Sequence, residues 1–239
     1  MCIRDSYTLI ALEERGDGTT AEFHEGGQRI GRLELPLPGR HNLSNVAAAL
    51  AVCREVGVPF EPLQKAVELL KPPGRRFDCR GVWQQRVIVD DYAHHPSEVE
   101  ATMQMARLMV TTGRSQLPVS PRRLVAVFQP HRYSRTSQFM DGFAAALAKA
   151  DLVLLAPLYT AGEAPIEGIS STAMAEAIRA QAPDLSVRVA RSMEELADVV
   201  ATCSRESDLV LAMGAGDVNS LWDRLAVLEE GVGPDALVA

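Results

Sequence analysis

The chain has 239 residues, of which 47% are hydrophobic and 23% charged, and its net charge is −7. That composition supplies one large or two modest globular cores and carries no basic block for non-specific nucleic-acid binding. No apolar run approaches the roughly 18 residues of a membrane-spanning helix, and the four cysteines (Cys2, Cys53, Cys79, Cys203) form neither a CxxC nor a metal-ligand spacing.

Residues 1–6 lack the apolar centre of a signal peptide, so a cytoplasmic protein with free thiols and no membrane insertion is expected. Residues 7–12 read as a strand. A turn at 16–19 and the Gly26-Gly27 pair then set off strand-like residues 20–24 and 29–35 as a hairpin. The chain therefore opens inside β-structure, which implies a fragment or a domain missing its first half. Leu35-Pro-Leu-Pro-Gly39 ends the last strand, and helical periodicity follows at 43–56 and 61–70. Asn42 and Asn45 open the first of these helices, three apart and on one face. An amide offers a donor and an acceptor together, which suits a nucleotide base; taken alone, Asn42 reads first as a helix N-cap.

Lys71-Pro-Pro-Gly-Arg75 is the linker candidate and divides the chain into domains at 1–72 and 73–239. Gly74-Arg75-Arg76-Phe77 at this hinge offers a guanidinium that suits a phosphate, with a solvated linker charge as the plain alternative. Beyond the linker, strands at 86–90, 124–128, 152–156, 186–190 and 208–213 alternate with helices at 97–110, 136–150, 171–181, 193–203 and 218–229. Residues 111–121 are polar and read as a loop. This order predicts an α/β, Rossmann-like domain with a mostly parallel sheet.

Val87-Ile-Val-Asp-Asp-Tyr-Ala-His-His-Pro96 organises that domain. A short β-branched run enters a polar turn, and Pro96 with a Ser97/Glu100 capping box starts the next helix. Ligands of open α/β sheets bind beyond the carboxyl ends of the strands. Asp90, Asp91, Tyr92, His94 and His95 crowd that position. A capped turn accounts for one aspartate, but not for the cluster. Asp90 and Asp91 must face opposite sides of the sheet.

Phe128-Gln-Pro-His-Arg-Tyr-Ser-Arg-Thr136 ends the next strand. Arg132 and Arg135 lie near a helix start whose dipole favours anions, a pattern for a carboxylate or phosphate pocket; a solvated helix start is the alternative. Tyr159-Thr-Ala-Gly-Glu163 forms a loop over the same crevice. Met213-Gly-Ala-Gly-Asp217 follows the last strand and holds a lone GxG, a weak signal that a tight turn before the final helix explains equally well. Ser192 with Glu195 is a second capping box. The adjacent His94 and His95 point apart without a third ligand, so no metal site is assigned.

Taken together, Gly39 to Ala49, Gly74-Arg-Arg-Phe77, Asp90 to Pro96, Phe128 to Thr136 and Tyr159 to Glu163 resemble the Mur ligase family, and within it the alanine-adding members. The resemblance implies three domains, of which this chain holds the tail of a P-loop ATPase domain, to about residue 72, and the whole carboxyl-terminal domain. It implies ATP-driven amide formation in peptidoglycan precursor synthesis. The carboxylate of UDP-N-acetylmuramate takes the γ-phosphate of ATP, and the amine of L-alanine then displaces phosphate. By the same resemblance Asn42 and Asn45 approach the adenine, Arg76 contacts ATP, and Asp91 holds the ribose. Tyr92, His94, Arg132 and Arg135 line the amino-acid and muramoyl side, with His94, Arg132 and Arg135 as the catalytic set. The family's Gly-x-x-Gly-Lys-Thr phosphate loop does not occur in these 239 residues. Mg²⁺ is therefore expected to be held outside this chain, and catalysis by the chain alone is not expected. A non-catalytic nucleotide- or anion-binding module of Rossmann-like topology is the alternative reading.

Overall fold

The computed structural model describes residues 2–3 and 6–231, the side chains from 6 to 228. The expected free thiol at Cys2 and the last residues of the expected 73–239 domain lie outside the described residues. The chain divides into two compact units, Met1–Pro73 with Thr111–Gln116, and Gly74–Val110 with Leu117–Ala239.

In the first unit, strands β1 (Cys2–Ile3), β2 (Tyr7–Arg15), β3 (Gly18–Glu25) and β4 (Gln28–Leu35) form an antiparallel sheet in sequential order. The strands run longer than expected because two-residue turns, Gly16-Asp17 and Gly26-Gly27, join them. Helices α1 (Arg40–Glu55) and α2 (Phe60–Val67) supply the other half of the core. Leu9, Phe23 and Leu33 of the sheet meet Leu43, Leu50 and Phe60 of the helices, and Phe23 and Phe60 stack at 5.7 Å. Gln116, from the polar stretch between the third helix and the next strand, donates to the carbonyls of Asp17 and Pro36.

In the second unit, six strands stand in the order β5 (Asp78–Trp83), β6 (Arg86–Asp91), β10 (Asp208–Met213), β7 (Arg123–Phe128), β8 (Leu152–Leu155), β9 (Val187–Val189). All pairs are parallel except β5 with β6. The sheet is the Rossmann-like, mostly parallel one expected. Strand β5 is an addition to it, which the sequence hid. Its turn is Gln84-Gln85 at φ 43° and 63°, a left-handed pair that carries no Gly or Asn signal.

Both faces are covered. Val87, Val89, Leu124, Phe128 and Leu211 pack under α3 (Pro96–Thr112), α4 (Tyr133–Leu147) and α5 (Ser171–Gln181). Ile88, Val125, Val127 and Val210 pack under α6 (Met193–Cys203) and α7 (Leu221–Gly231), with Trp83. Strands buried on both sides explain the uninterrupted apolar runs. A 3-10 turn at Val218–Ser220 precedes α7, where one continuous helix was expected.

Two capping expectations come out differently. Ser192 Oγ accepts from the Glu195 N–H, as expected. The Ser97/Glu100 box does not form: Glu98 instead accepts from the His94 and His95 N–H groups, while Glu100 pairs with Lys149. Pro96 opens α3 one residue before Ser97, so the side chain three positions beyond His95 is Glu98. No helix among the described residues is long and apolar enough to cross a membrane.

Candidate functional site

The carboxyl ends of β6, β7, β8 and β10 lie side by side, and the loops leaving them bring together most of the residues singled out above.

Strand alternation sends Asp90 and Asp91 in opposite directions, as expected. Asp91 is 4% exposed, and each of its oxygens accepts a backbone N–H: Oδ1 from Ala93 at 2.7 Å and Oδ2 from Phe77 at 2.8 Å. Burial pushes its carboxyl above the usual range, and those two N–H donors pull the other way. Asp91 thereby ties residue 77 to the end of β6. A carboxylate oxygen accepts two hydrogen bonds, so one lone pair on each oxygen remains after these contacts.

Asp90 faces Arg75 instead. Arg75 Nε lies 3.2 Å from Asp90 Oδ2, and its Nη2 donates to the Gly214 carbonyl beyond β10 at 3.1 Å. The guanidinium sits 4.8 Å from the centre of the Tyr92 ring, and the Arg75 carbonyl accepts the Tyr92 N–H. Arg75 therefore clamps three loops together from a left-handed backbone, φ 58°. Burial raises the Asp90 carboxyl, with the Arg75 charge opposing, and Asp90 Oδ1 has no hydrogen-bond partner. Arg76, the residue singled out in the sequence, is exposed, with its guanidinium 5.9 Å from the Tyr92 ring.

A file of rings crosses the crevice. His94 meets Tyr92 edge-on at 5.1 Å and His131 at 6.3 Å; His131 stacks on Tyr159 at 5.4 Å and 9°. Hydrogen-bond partners set the tautomers. His94 Nδ1 is 2.8 Å from the Tyr92 carbonyl, which only accepts, and 3.3 Å from Glu98 Oε2, so Nδ1 carries a proton, and in the neutral ring the lone pair is on Nε2. His131 Nδ1 is 3.2 Å from the Arg135 guanidinium, which only donates, so Nδ1 is bare and Nε2 carries the proton. Burial lowers the His131 pKa, and the nearby Arg135, His94 and Arg132 side chains lower it further, with the Glu163 carboxylate opposing. His95 turns away and packs edge-on against Phe139 at 4.7 Å.

The expectation of two arginines at an open helix start is changed by Glu163. Helix α4 begins at Tyr133, earlier than expected, with Arg132 as its N-cap at φ 71°. Glu163 reaches across from the β8 loop and accepts from Ser134 N–H at 3.0 Å and Ser134 O–H at 2.7 Å, with Arg132 Nη1 at 3.7 Å. Those donors, then Arg132, hold its carboxyl below the usual range. The chain's own carboxylate thus occupies the helix terminus. Arg135 is half-buried against His131, and among the described residues no carboxylate pairs with it.

Gln129 supports this floor. It is buried, accepts the Val218 N–H, and donates to Asp217 at 2.7 Å and to the Pro157 carbonyl at 3.3 Å. The Met213–Asp217 turn is tight for a reason: a Cβ on Gly216 would land on the Gln129 side-chain oxygen and 2.7 Å from the Tyr159 ring.

The first unit carries the two asparagines. Gly39 is the N-cap of α1, so Asn42 lies inside the first turn and donates to the Pro38 carbonyl at 2.8 Å rather than capping the helix itself. Asn45 is exposed one turn on. Sequence reasoning gave no role to Gln129, His131 and Glu163, although each lay inside a quoted motif, and of the Arg75-Arg76 pair it chose Arg76 while the structure braces the loops with Arg75. Among the described residues no group of three or more His, Cys, Asp or Glu is placed to hold a metal ion.

The sequence profile described as "Mur ligase, glutamate ligase domain" matches residues 75–216. The chain is 59% identical over 230 residues to the UDP-N-acetylmuramate–L-alanine ligase of Synechococcus sp. (strain CC9311), covering 96% of this chain and 47% of that relative. Its counterpart in Prochlorococcus marinus (strain NATL1A) is 41% identical over 223 residues, with 93% and 45% covered. The chain spans about half the length of the curated relatives it matches. Among solved structures, the UDP-N-acetylmuramate-alanine ligase of Thermotoga maritima superposes with a TM-score of 0.75 over 95% of this chain and 46% of that one. At 24% identity that is a likeness of fold. The murein peptide ligase of Psychrobacter arcticus 273-4 gives a TM-score of 0.63 at 20% identity, over 93% of this chain and 44% of that one.

Proposed function

The chain belongs to the Mur ligase family, and from that premise we propose that it supplies the carboxyl-terminal portion of an ATP-dependent ligase joining L-alanine to UDP-N-acetylmuramate in the cytoplasm. The observation that carries this reading is the 59% identity to an alanine ligase along 230 residues, a stretch that includes every residue of the crevice.

In this reading the crevice receives the amino acid. Arg135 takes the carboxylate of L-alanine, held in place by His131. The His94 Nε2 lone pair faces the amine, and the Tyr92 ring, backed by Arg75, forms a wall beside it. When the amine attacks the acyl phosphate of UDP-N-acetylmuramate, the new C–N bond forms as the C–O bond to phosphate breaks. The amine must shed a proton, and a neutral imidazole at that position accepts it. Arg132 stands at the outer edge of the crevice, where phosphate charge shifts to the leaving group.

ATP is the energy source. Asn42 and Asn45 serve the adenine, Arg76 the phosphate and Asp91 the ribose; Mg²⁺ takes its ligands outside this chain. The family boundary falls at residue 72, with residues 1–72 belonging to the ATPase domain and 73–239 to the carboxyl-terminal one. The amino-acid assignment is tested by titrating the labelled chain with L-alanine and following imidazole and arginine side-chain resonances by NMR. Saturable shifts at His94, His131 and Arg135 are expected. Shifts confined to other residues would remove the amino-acid assignment.

A further inference from the structure

Arg132 and Arg135 both stand at the start of α4, yet they are not equivalent. Glu163 accepts two hydrogen bonds from Ser134 and faces Arg132, while Arg135 donates to Nδ1 of His131 and pairs with no carboxylate among the described residues. Of the two arginines at the start of α4, Glu163 therefore faces one, and Arg135 is left without a carboxylate partner among the described residues. The helix terminus, which would otherwise hold a second anion, is already filled.

We propose that Glu163 is a specificity-determining residue: it occupies the second anion position and so restricts the crevice to an amino acid with one carboxylate. This rests on the amino-acid reading of the crevice given above. An amino acid whose side chain carries a further carboxylate would bring that group toward Arg132 and meet Glu163 first. Like charges at that distance repel, and neither anion is neutralised by a second cation.

Three features hold Glu163 in place. Its loop turns through left-handed residues Ala161 and Gly162, φ 51° and 83°. Backbone hydrogen bonds from Arg132 N–H to the Tyr159 carbonyl and from Tyr159 N–H to the Pro130 carbonyl, both 2.8 Å, fix the start of the loop against residues 130–132. The Tyr159 ring is then pinned between His131 and Gly216. The carboxylate is thereby delivered by a braced loop, as a fixed part of the pocket.

L-Aspartate is L-alanine with a carboxylate on its Cβ, so the two form a matched pair of probes. Binding of each to the 239-residue chain is measured by NMR titration, with the Ser134 amide resonance reporting whether Glu163 stays in place. The original chain should favour L-alanine, and the Ser134 signal should not move at saturation. Glu163→Gln should shift the ratio of affinities toward L-aspartate by about two- to fivefold, the range of a part-exposed ion pair. Glu163→Asp should restore the original preference. Adding Arg132→Ala to Glu163→Gln should abolish the gain, because the cation that attracts the second carboxylate is gone. An unchanged ratio in Glu163→Gln, with L-alanine still bound, would overturn this proposal alone. So would displacement of Glu163 from Ser134 by L-alanine. Failure of L-alanine to bind anywhere in the crevice would overturn the amino-acid reading and this proposal together.

Discussion

Arg135 donates to Nδ1 of His131 at 3.2 Å, and that contact exists only while the imidazole is neutral. Protonation would place N–H groups against N–H groups with a cation on each side. The folded-state pKa of His131 lies below its ordinary 6.5, so the unfolded chain takes up the proton first. The sign follows: this group costs nothing above its ordinary pKa, and stability is lost as the pH falls from there through the lowered folded value. L-Alanine binding should weaken over the same window. His131→Asn places an amide oxygen near the position of Nδ1 and does not titrate, so it should keep binding and lose the acid-side decline. Affinity measured across pH for both chains checks this; an identical decline in His131→Asn would assign the effect elsewhere.

The neighbouring arginines at 75 and 76 should behave differently. Arg75→Ala leaves the buried Asp90 carboxylate without its cation, a change that costs about 3 kcal/mol or more. Arg76 is exposed, and its removal should change stability by about 0.5 kcal/mol or less. Thermal or urea unfolding of the two variants checks the contrast. Equal losses would show that the Arg75 clamp contributes nothing of its own.

Gly216→Ala should be poorly tolerated although alanine is the smallest change available. Its Cβ has no space between Gln129 and Tyr159, and overpacking of this kind costs about 1–3 kcal/mol. Tyr159 is the softer neighbour, so its stack on His131 should loosen. The tyrosine and histidine ring resonances report that movement, and unaltered rings with unaltered stability would contradict the packing argument.

Residues 73–239 should fold without residues 1–72. The six-stranded sheet and both of its helical layers come from this segment. A single cooperative unfolding transition is expected for the isolated piece. A broad, non-cooperative loss of structure would count against a boundary at 72.

The parallel core was legible because its strands are apolar runs and their helices have clear periodicity. Val87-Ile88-Val89 and Leu209-Val210-Leu211 carry their burial in their composition. Strand β5 was not legible, since Asp78-Cys-Arg-Gly-Val-Trp83 has neither an apolar run nor a recognisable turn. The site was legible as a set of places and less so as a set of contacts. The motifs located Asp91, His94 and Arg135, and strand alternation separated Asp90 from Asp91. Which arginine braces the fold depended on the left-handed backbone at Arg75, and local sequence does not announce that conformation at an arginine. Glu163 lies 29 residues from Ser134, so no helical or strand spacing connects the two. Only the packed loops reveal that a carboxylate already fills the helix terminus.

Under the proposed function, this chain brings L-alanine to an acyl phosphate formed with residues outside it. The most direct measurement joins this chain to the amino-terminal half of the Synechococcus relative and follows phosphate release from ATP with Mg²⁺, UDP-N-acetylmuramate and L-alanine. The 239-residue chain alone should give no turnover, because its sequence has no phosphate loop. The joined protein should release phosphate only when L-alanine is present. Asp91→Ala should raise chiefly the KM for ATP and Arg135→Ala chiefly the KM for L-alanine, each by about 10- to 150-fold, as expected for a charged hydrogen bond. Turnover by the chain alone, or a joined protein whose phosphate release ignores L-alanine and survives Arg135→Ala, would contradict the account.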